Sequence, residues 1–241
     1  MSYNGIVGST LLLSSLIIGS VVAQNPPGRR DTVGVLQIDH IIVAVADLQD
    51  GTRQMKELTG VEAVFGGHHP GAGTQNALIA IGPRTYLEVL APQSDIDVPE
   101  PLEWILTLDD LTPMGFAVST PDVSGTIALL ENHGYVTSDP TPGSRSLPNG
   151  EALMWTTMEI NEPVIVDAPF FIQWDGTSPH PATTSPRGCA LRSLKVASPN
   201  KVELERLFRV LGLDVVVENA AGQDPVYQVV LDCPKGTVSL K

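Results

Sequence analysis

One pattern occurs three times along this chain and restricts its fold more than any other feature: an apolar strand, a polar turn, an amphipathic helix, a glycine and a second apolar run. The copies start at Ile38, Met114 and Leu191. Gly60, Gly134 and Gly212 close their helices at an interval of about 75 residues, where a left-handed C-cap favours a residue without Cβ. Asp47, Thr120 and Ser198 stand where side-chain N-caps are expected. Strand-like segments follow the helices at 77–82 and 85–90, at 152–160 and 169–174, and at 226–232 and 237–240. Each copy therefore reads β-α-β-β-β, with modules at about 36–95, 113–176 and 188–241.

Units of this kind build α+β folds, and they also build doubly wound parallel sheets. The dinucleotide-binding version of the latter needs G-x-G-x-x-G opening a helix, and neither that motif nor a Walker phosphate loop is present. The glycine-rich stretch 66–73 precedes a strand, so it has no helix N-terminus to offer a phosphate. Pro/Ser/Thr-rich stretches at 140–148 and 178–186 read as loops, the second joining the last two modules. With three copies, which two would close on each other stays open.

Composition sets the outer limits. A chain of 241 residues with 42% hydrophobic residues can bury a substantial core. Its net charge of −13, with no basic run longer than Arg29-Arg30, argues against nucleic acid as a partner. The first 28 residues carry no charged side chain, and 6–23 are apolar apart from Ser, Thr and Gly. Residues 1–23 are expected to be a signal peptide cleaved after Ala23, giving a secreted or extracytoplasmic protein, with a linker over 24–34. An uncleaved signal anchor, tethering the domain at 35–241 to a membrane, is the alternative. The only cysteines, Cys189 and Cys233, exclude a Cys-rich zinc site. They are either bridged across neighbouring strands or two small buried residues.

The run IDHIIVAVADL, followed after one helix by GGHHPGAGTQNALIAIG and TYLEVLAP, resembles the opening module of glyoxalase-like proteins in the vicinal-oxygen-chelate superfamily. PFFIQWDGTSPHP and the closing GTVSL are similar to the same group, so the likeness covers about 35–241. The resemblance implies a cup-shaped sheet made from two β-α-β-β-β modules, to which this chain adds a third. It also implies a divalent metal in many members, held by a His on a module's first strand and a Glu on its last. Reactions in the superfamily include isomerisation, ring cleavage, epimerisation and thiol addition, while other members only sequester ligands.

His40 and Glu88 match the first module's metal positions, and zinc, nickel, iron or manganese would suit that pair. Strand alternation puts His40 and Ile42 on one face and Ile41 and Val43 on the other, and Glu88 should share the inner face with Tyr86. In the second module Gly115 stands opposite His40 and Gln173 opposite Glu88, and in the third about Ser193 and Leu240 do. The metal set is therefore half-filled, with Gln173 a neutral oxygen donor. His40 and Glu88 can be read as metal ligands, as a metal-free acid/base pair, or as a satisfied structural pair.

The resemblance, whose turn has its His directly before Pro-Gly, implies that His69, before Pro70, is the pocket residue of the His68-His69 pair, and His180 either braces its loop or touches ligand. His133 is explained by the helix terminus beside it. Arg145 could hold a carboxylate in bidentate fashion from the cup's rim. Trp155, Trp174, Phe171 and Tyr86 either wall an apolar pocket or pack in the core. The expected function is binding of a small oxygenated molecule around His40 and Glu88, as a metal-dependent lyase or isomerase or as a metal-free sequestering domain. A membrane is a partner only if the leader stays uncleaved, and a homodimer stays open.

Overall fold

The computed structural model describes residues 35–69, 71–146, 152–177 and 179–241. The leader and linker expected at 1–34 lie outside these, as does Pro70. The first module runs β1 (Gln37–Ala44), α1 (Leu48–Thr59), β2 (Val64–His69), β3 (Thr74–Ala80) and β4 (Tyr86–Pro92). A 3-10 segment, Glu100–Thr107, leads to the second module. This consists of β5 (Thr112–Ser119), α2 (Val123–Asn132), β6 (Val136–Thr137), β7 (Thr141–Ser146), β8 (Ala152–Met158), β9 (Ile160–Glu162) and β10 (Phe170–Trp174). A short helix α3 (Pro181–Thr184) precedes the third: β11 (Ala190–Ser198), α4 (Lys201–Leu211), β12 (Val216–Asn219), β13 (Val226–Cys233) and β14 (Gly236–Leu240).

The first two modules form one eight-stranded sheet in the order β2-β3-β4-β1-β5-β10-β8-β7. In each, the opening strand runs parallel to the closing one, β1 beside β4 and β5 beside β10, and the modules join through antiparallel β1 and β5. The end strands β2 and β7 approach each other, so the sheet curls into a cup. A bulge contributes to that curl: Ile38 pairs with Val118 and His40 with Ala117, leaving Asp39 without a partner on β5.

Alternation then sorts the side chains. Ile41, Val43, Leu87, Val89, Phe116 and Phe171 leave the cup on its outer face and are fully buried with Met55 of α1 and Leu130 of α2 in the main core. Gly60, Gly134 and Gly212 have φ of 79°, 83° and 68°, the left-handed conformation expected after the helices. The N-caps differ in part. Asp47 caps α1, but Asp122 rather than Thr120 caps α2, and Ser198 accepts from Asn200 N just before α4. Thr120 and Ser198 sit two residues too early and close turns instead of helices.

The third module repeats the order of elements without repeating their connections. Its sheet runs β12-β11-β13-β14, with β11 parallel to β12, the strand directly after the helix, and antiparallel to β13. It therefore does not extend the cup. It packs on the cup's outer face, where β13 meets β5 and Phe208 of α4 meets Phe116 edge-on. Cys189 and Cys233 are disulfide-bonded, tying the start of β11 to the end of β13. No helix among the described residues is long and apolar enough to cross a membrane.

Candidate ligand-binding cup

The inner face encloses a cavity of about 410 Å³, lined in part by His40, His69, Tyr86, Glu88 and Arg145. Its volume lies in the range of small-molecule sites, ~300–1,000 Å³. The period of two along β1 and β4 delivers His40 and Ile42, and Tyr86 and Glu88, to this face, with His40 beside Tyr86 and Ile42 beside Glu88. Aromatic walls come from Phe170, Trp155 and Trp174. The His40 ring stacks on Tyr86 with centroids 4.6 Å apart and meets the edge of Phe170 at 5.5 Å.

The polar centre is organised by a residue that sequence alternation hides. Asp39 would face outward on a regular strand, but it sits at the bulge and its carboxylate meets His40, Trp174 and His180. There it is fully buried. Its Oδ1 accepts from His40 Nδ1 at 2.8 Å, and its Oδ2 accepts from Trp174 Nε1 and His180 Nε2, both at 3.0 Å. His180 Nδ1 accepts from Ala182 N, which fixes Nε2 as its donor atom. Burial alone would raise the Asp39 carboxyl, but the hydrogen bonds and charge from His180 and His40 outweigh it and hold it at about 2. Asp39 is therefore an anion that accepts only, so His40 donates through Nδ1 and turns Nε2 into the cup, 3.5 Å from Glu88 Oε2. His180 braces this arrangement and does not line the cavity.

Glu88 is held from its other side. Asn76 Nδ2 donates to Glu88 Oε1 at 2.6 Å and lies 3.1 Å from His69 Nε2, while Thr74 Oγ1 meets His69 Nδ1 at 2.8 Å. Burial is the main force lowering the His69 pKa, which favours the neutral imidazole. The Tyr86 phenol is pushed well up by burial, then by the negative Asp39 and Glu88, so it stays protonated. Gly66 makes room for this network, since a Cβ there would fall 2.3 Å from Asn76 Oδ1. Burial lowers the Arg145 pKa, against the pull of Tyr86 and Glu88, yet a guanidinium stays charged at neutral pH.

A family model described as "Glyoxalase-like domain" matches residues 38–212. The chain belongs to the glyoxalase-like domain family. No curated protein matches it. Among solved structures, a hypothetical protein from Staphylococcus aureus shares its fold at 17% identity, with a TM-score of 0.59 and 86% of each chain covered. A hypothetical protein from Bacillus halodurans is 16% identical over 61% of this chain and 98% of its own, with a TM-score of 0.43. A methylmalonyl-CoA epimerase from Mycobacterium tuberculosis is 19% identical over 61% and 92%, with a TM-score of 0.40.

The donor set of this glyoxalase-like domain does not fit a metal chelate. Asp47 and Asp122, the caps of α1 and α2, put His40 in register with Gly115 and Ile42 with Ala117. Ala117 pairs with Phe170 as Ile42 pairs with Glu88, so Phe170, not Gln173, is the counterpart of Glu88. Neither Gly115 nor Phe170 can ligate. Gln173 is not among the cavity-lining residues; its Oε1 accepts from Val123 N at the start of α2. In the first module, the Asn76 amide donates into the space between His69 and Glu88 that a cation would need. Among the described residues no three His, Cys, Asp or Glu side chains form a group able to hold a metal ion.

The remaining sequence candidates divide cleanly. His69, Tyr86 and Arg145 line the cup with His40 and Glu88. His68 turns away, its Nδ1 2.6 Å from Gln93 Nε2 on an exposed edge, and His133 Nδ1 meets Leu129 O at the end of α2. Phe171 is core, and the cup takes its neighbour Phe170 instead.

Proposed function

We propose that this domain binds a small oxygenated organic molecule in the cup without a metal, with His40 and Glu88 as the polar contacts and His69 and Tyr86 beside them. The observation that carries the reading is the Asp39-oriented His40 ring facing Glu88 at 3.5 Å inside an apolar cavity whose donor set falls short of a chelate. Such a pair offers a ligand oxygen one directed ring nitrogen and one carboxylate, while the aromatic walls exclude water. Untagged protein is expected to purify without stoichiometric metal by elemental analysis and to be stabilised by ligand in the presence of a chelator. Stoichiometric metal that disappears in both His40→Ala and Glu88→Ala would refute the reading.

A second reading, proton transfer at a carbon beside the bound oxygen, is favoured by the Asp39–His40 hydrogen bond, which fixes one tautomer. It predicts deuterium uptake into bound ligand in heavy water, lost in Glu88→Gln. For location, an extracytoplasmic site is supported by the bridged cysteines together with the apolar leader. Mature protein is then expected to begin near Gln24.

A further inference from the structure

Arg145 projects from β7 into the cup and is only 5% exposed. Among the described residues it makes no side-chain hydrogen bond or ion pair, and its Nη1 is buried without a partner. Such isolation is costly for a guanidinium, whose planar fork is made for two parallel bonds to a carboxylate. Glu88 lies in the same cavity and stays bonded to Asn76, without closing an ion pair to Arg145. Among the described residues no other Lys or Arg lines the cavity. One fixed cation sharing a cup with one carboxylate suits a monoanion better than a phosphate, which gathers several donors. The aromatic residues lining the same cavity are Tyr86, Trp155, Phe170 and Trp174.

We propose that Arg145 is the carboxylate receptor of the cup, and that the ligand is a small carboxylic acid with an aromatic or branched apolar body. The acid group sits on the Arg145 fork, the apolar body lies between the tryptophan and tyrosine rings, and a hydroxyl or carbonyl oxygen near the acid faces His40 and Glu88. This specification rests on the binding reading above and adds the charge and polarity of the ligand to it.

The test pairs acids with their uncharged amides. Mandelate and mandelamide, and isovalerate and isovaleramide, are titrated into the full protein by calorimetry and by fluorescence of the tryptophans in the wall. At least one acid is expected to bind about tenfold or more tighter than its amide, the scale of a charge-assisted bidentate contact. Arg145→Met, which keeps the apolar stem, is expected to lose that preference while still binding the amide. Arg145→Lys, which keeps the charge without the fork, is expected to lose most of it, and it serves if the Met variant does not fold. Acid and amide binding equally well, or a preference that survives in both variants, overturns the receptor and leaves the binding reading standing. Inorganic phosphate competing as well as the acid overturns the carboxylate assignment. No binding by any of the four compounds overturns the receptor and the binding reading together.

Discussion

Exchanging Asp39 for asparagine keeps the shape of the side chain and removes its charge. The carboxylate accepts three hydrogen bonds, from His40, Trp174 and His180. An amide can keep its oxygen toward Trp174 and His180 only by turning its NH2 group toward His40 Nδ1, which must then become an acceptor. The ring proton moves to Nε2 and points at Glu88, reversing the polarity that the cup presents. The fall of the Asp39 carboxyl from 3.8 to about 2 corresponds to about 2 kcal/mol of preference for the charged form. Asp39→Asn is therefore expected to destabilise the fold by about 2 kcal/mol at pH 7, or ~4–8 °C in Tm for a domain of this size.

The pH dependence follows from the sign of that shift. A depressed carboxyl contributes its stability fully above its unfolded value and loses it as pH falls through the folded value. The gap between wild type and Asp39→Asn should thus hold from pH 7 to about pH 4 and close towards about pH 2. Thermal unfolding in steps of about half a pH unit measures the gap, and ¹⁵N NMR of His40 reads the tautomer. A variant as stable as wild type at pH 7, a gap that does not narrow in acid, or an unchanged tautomer would each refute the reasoning.

Two further outcomes follow from packing and from the chain. Gly66→Ala, whose Cβ would fall 2.3 Å from Asn76 Oδ1, should cost about 1–3 kcal/mol in urea unfolding; an Asn76→Ala background should recover most of that loss, and equal losses in both backgrounds would show the contact to be irrelevant. Reducing the Cys189–Cys233 bridge, which spans 44 residues, should lower stability by about 4 kcal/mol, measured as a reductant-dependent fall in Tm that a Cys189→Ala/Cys233→Ala protein lacks.

Much of the cup was legible because a period of two is legible. It carried His40 and Ile42 on β1, and Tyr86 and Glu88 on β4, to the inner face. The glycine C-caps were legible for the same reason, each a local rule with one physical cause. Asp39 was not, because a bulge inverts parity at one residue and nothing local announces it. Asn76 was open to the same alternation that places Thr74 on the inner face of β3, since both line the cavity. Gln173 was misjudged by one strand face: β10 sends Phe170, Ile172 and Trp174 inward, and the glutamine spends its oxygen on α2. The third module was read correctly as a sequence of elements added to a two-module cup, while which two modules close on each other stayed open. Strand order within a sheet is a long-range choice, and β11 pairs with β12 where β1 pairs with β4.

The two halves of the cup are built alike and furnished differently: His40 and Glu88 on one side, Gly115 and Phe170 at the matching places on the other. Were both halves furnished alike, a guest could enter in either of two poses related by the pseudo-twofold axis. Here one of those poses sets its oxygens against a phenyl ring. A guest bound as proposed would be left with a single pose, in which its left- and right-handed forms would meet different walls. Handedness should therefore matter to this cup, with one enantiomer of a chiral guest held and its mirror image turned away.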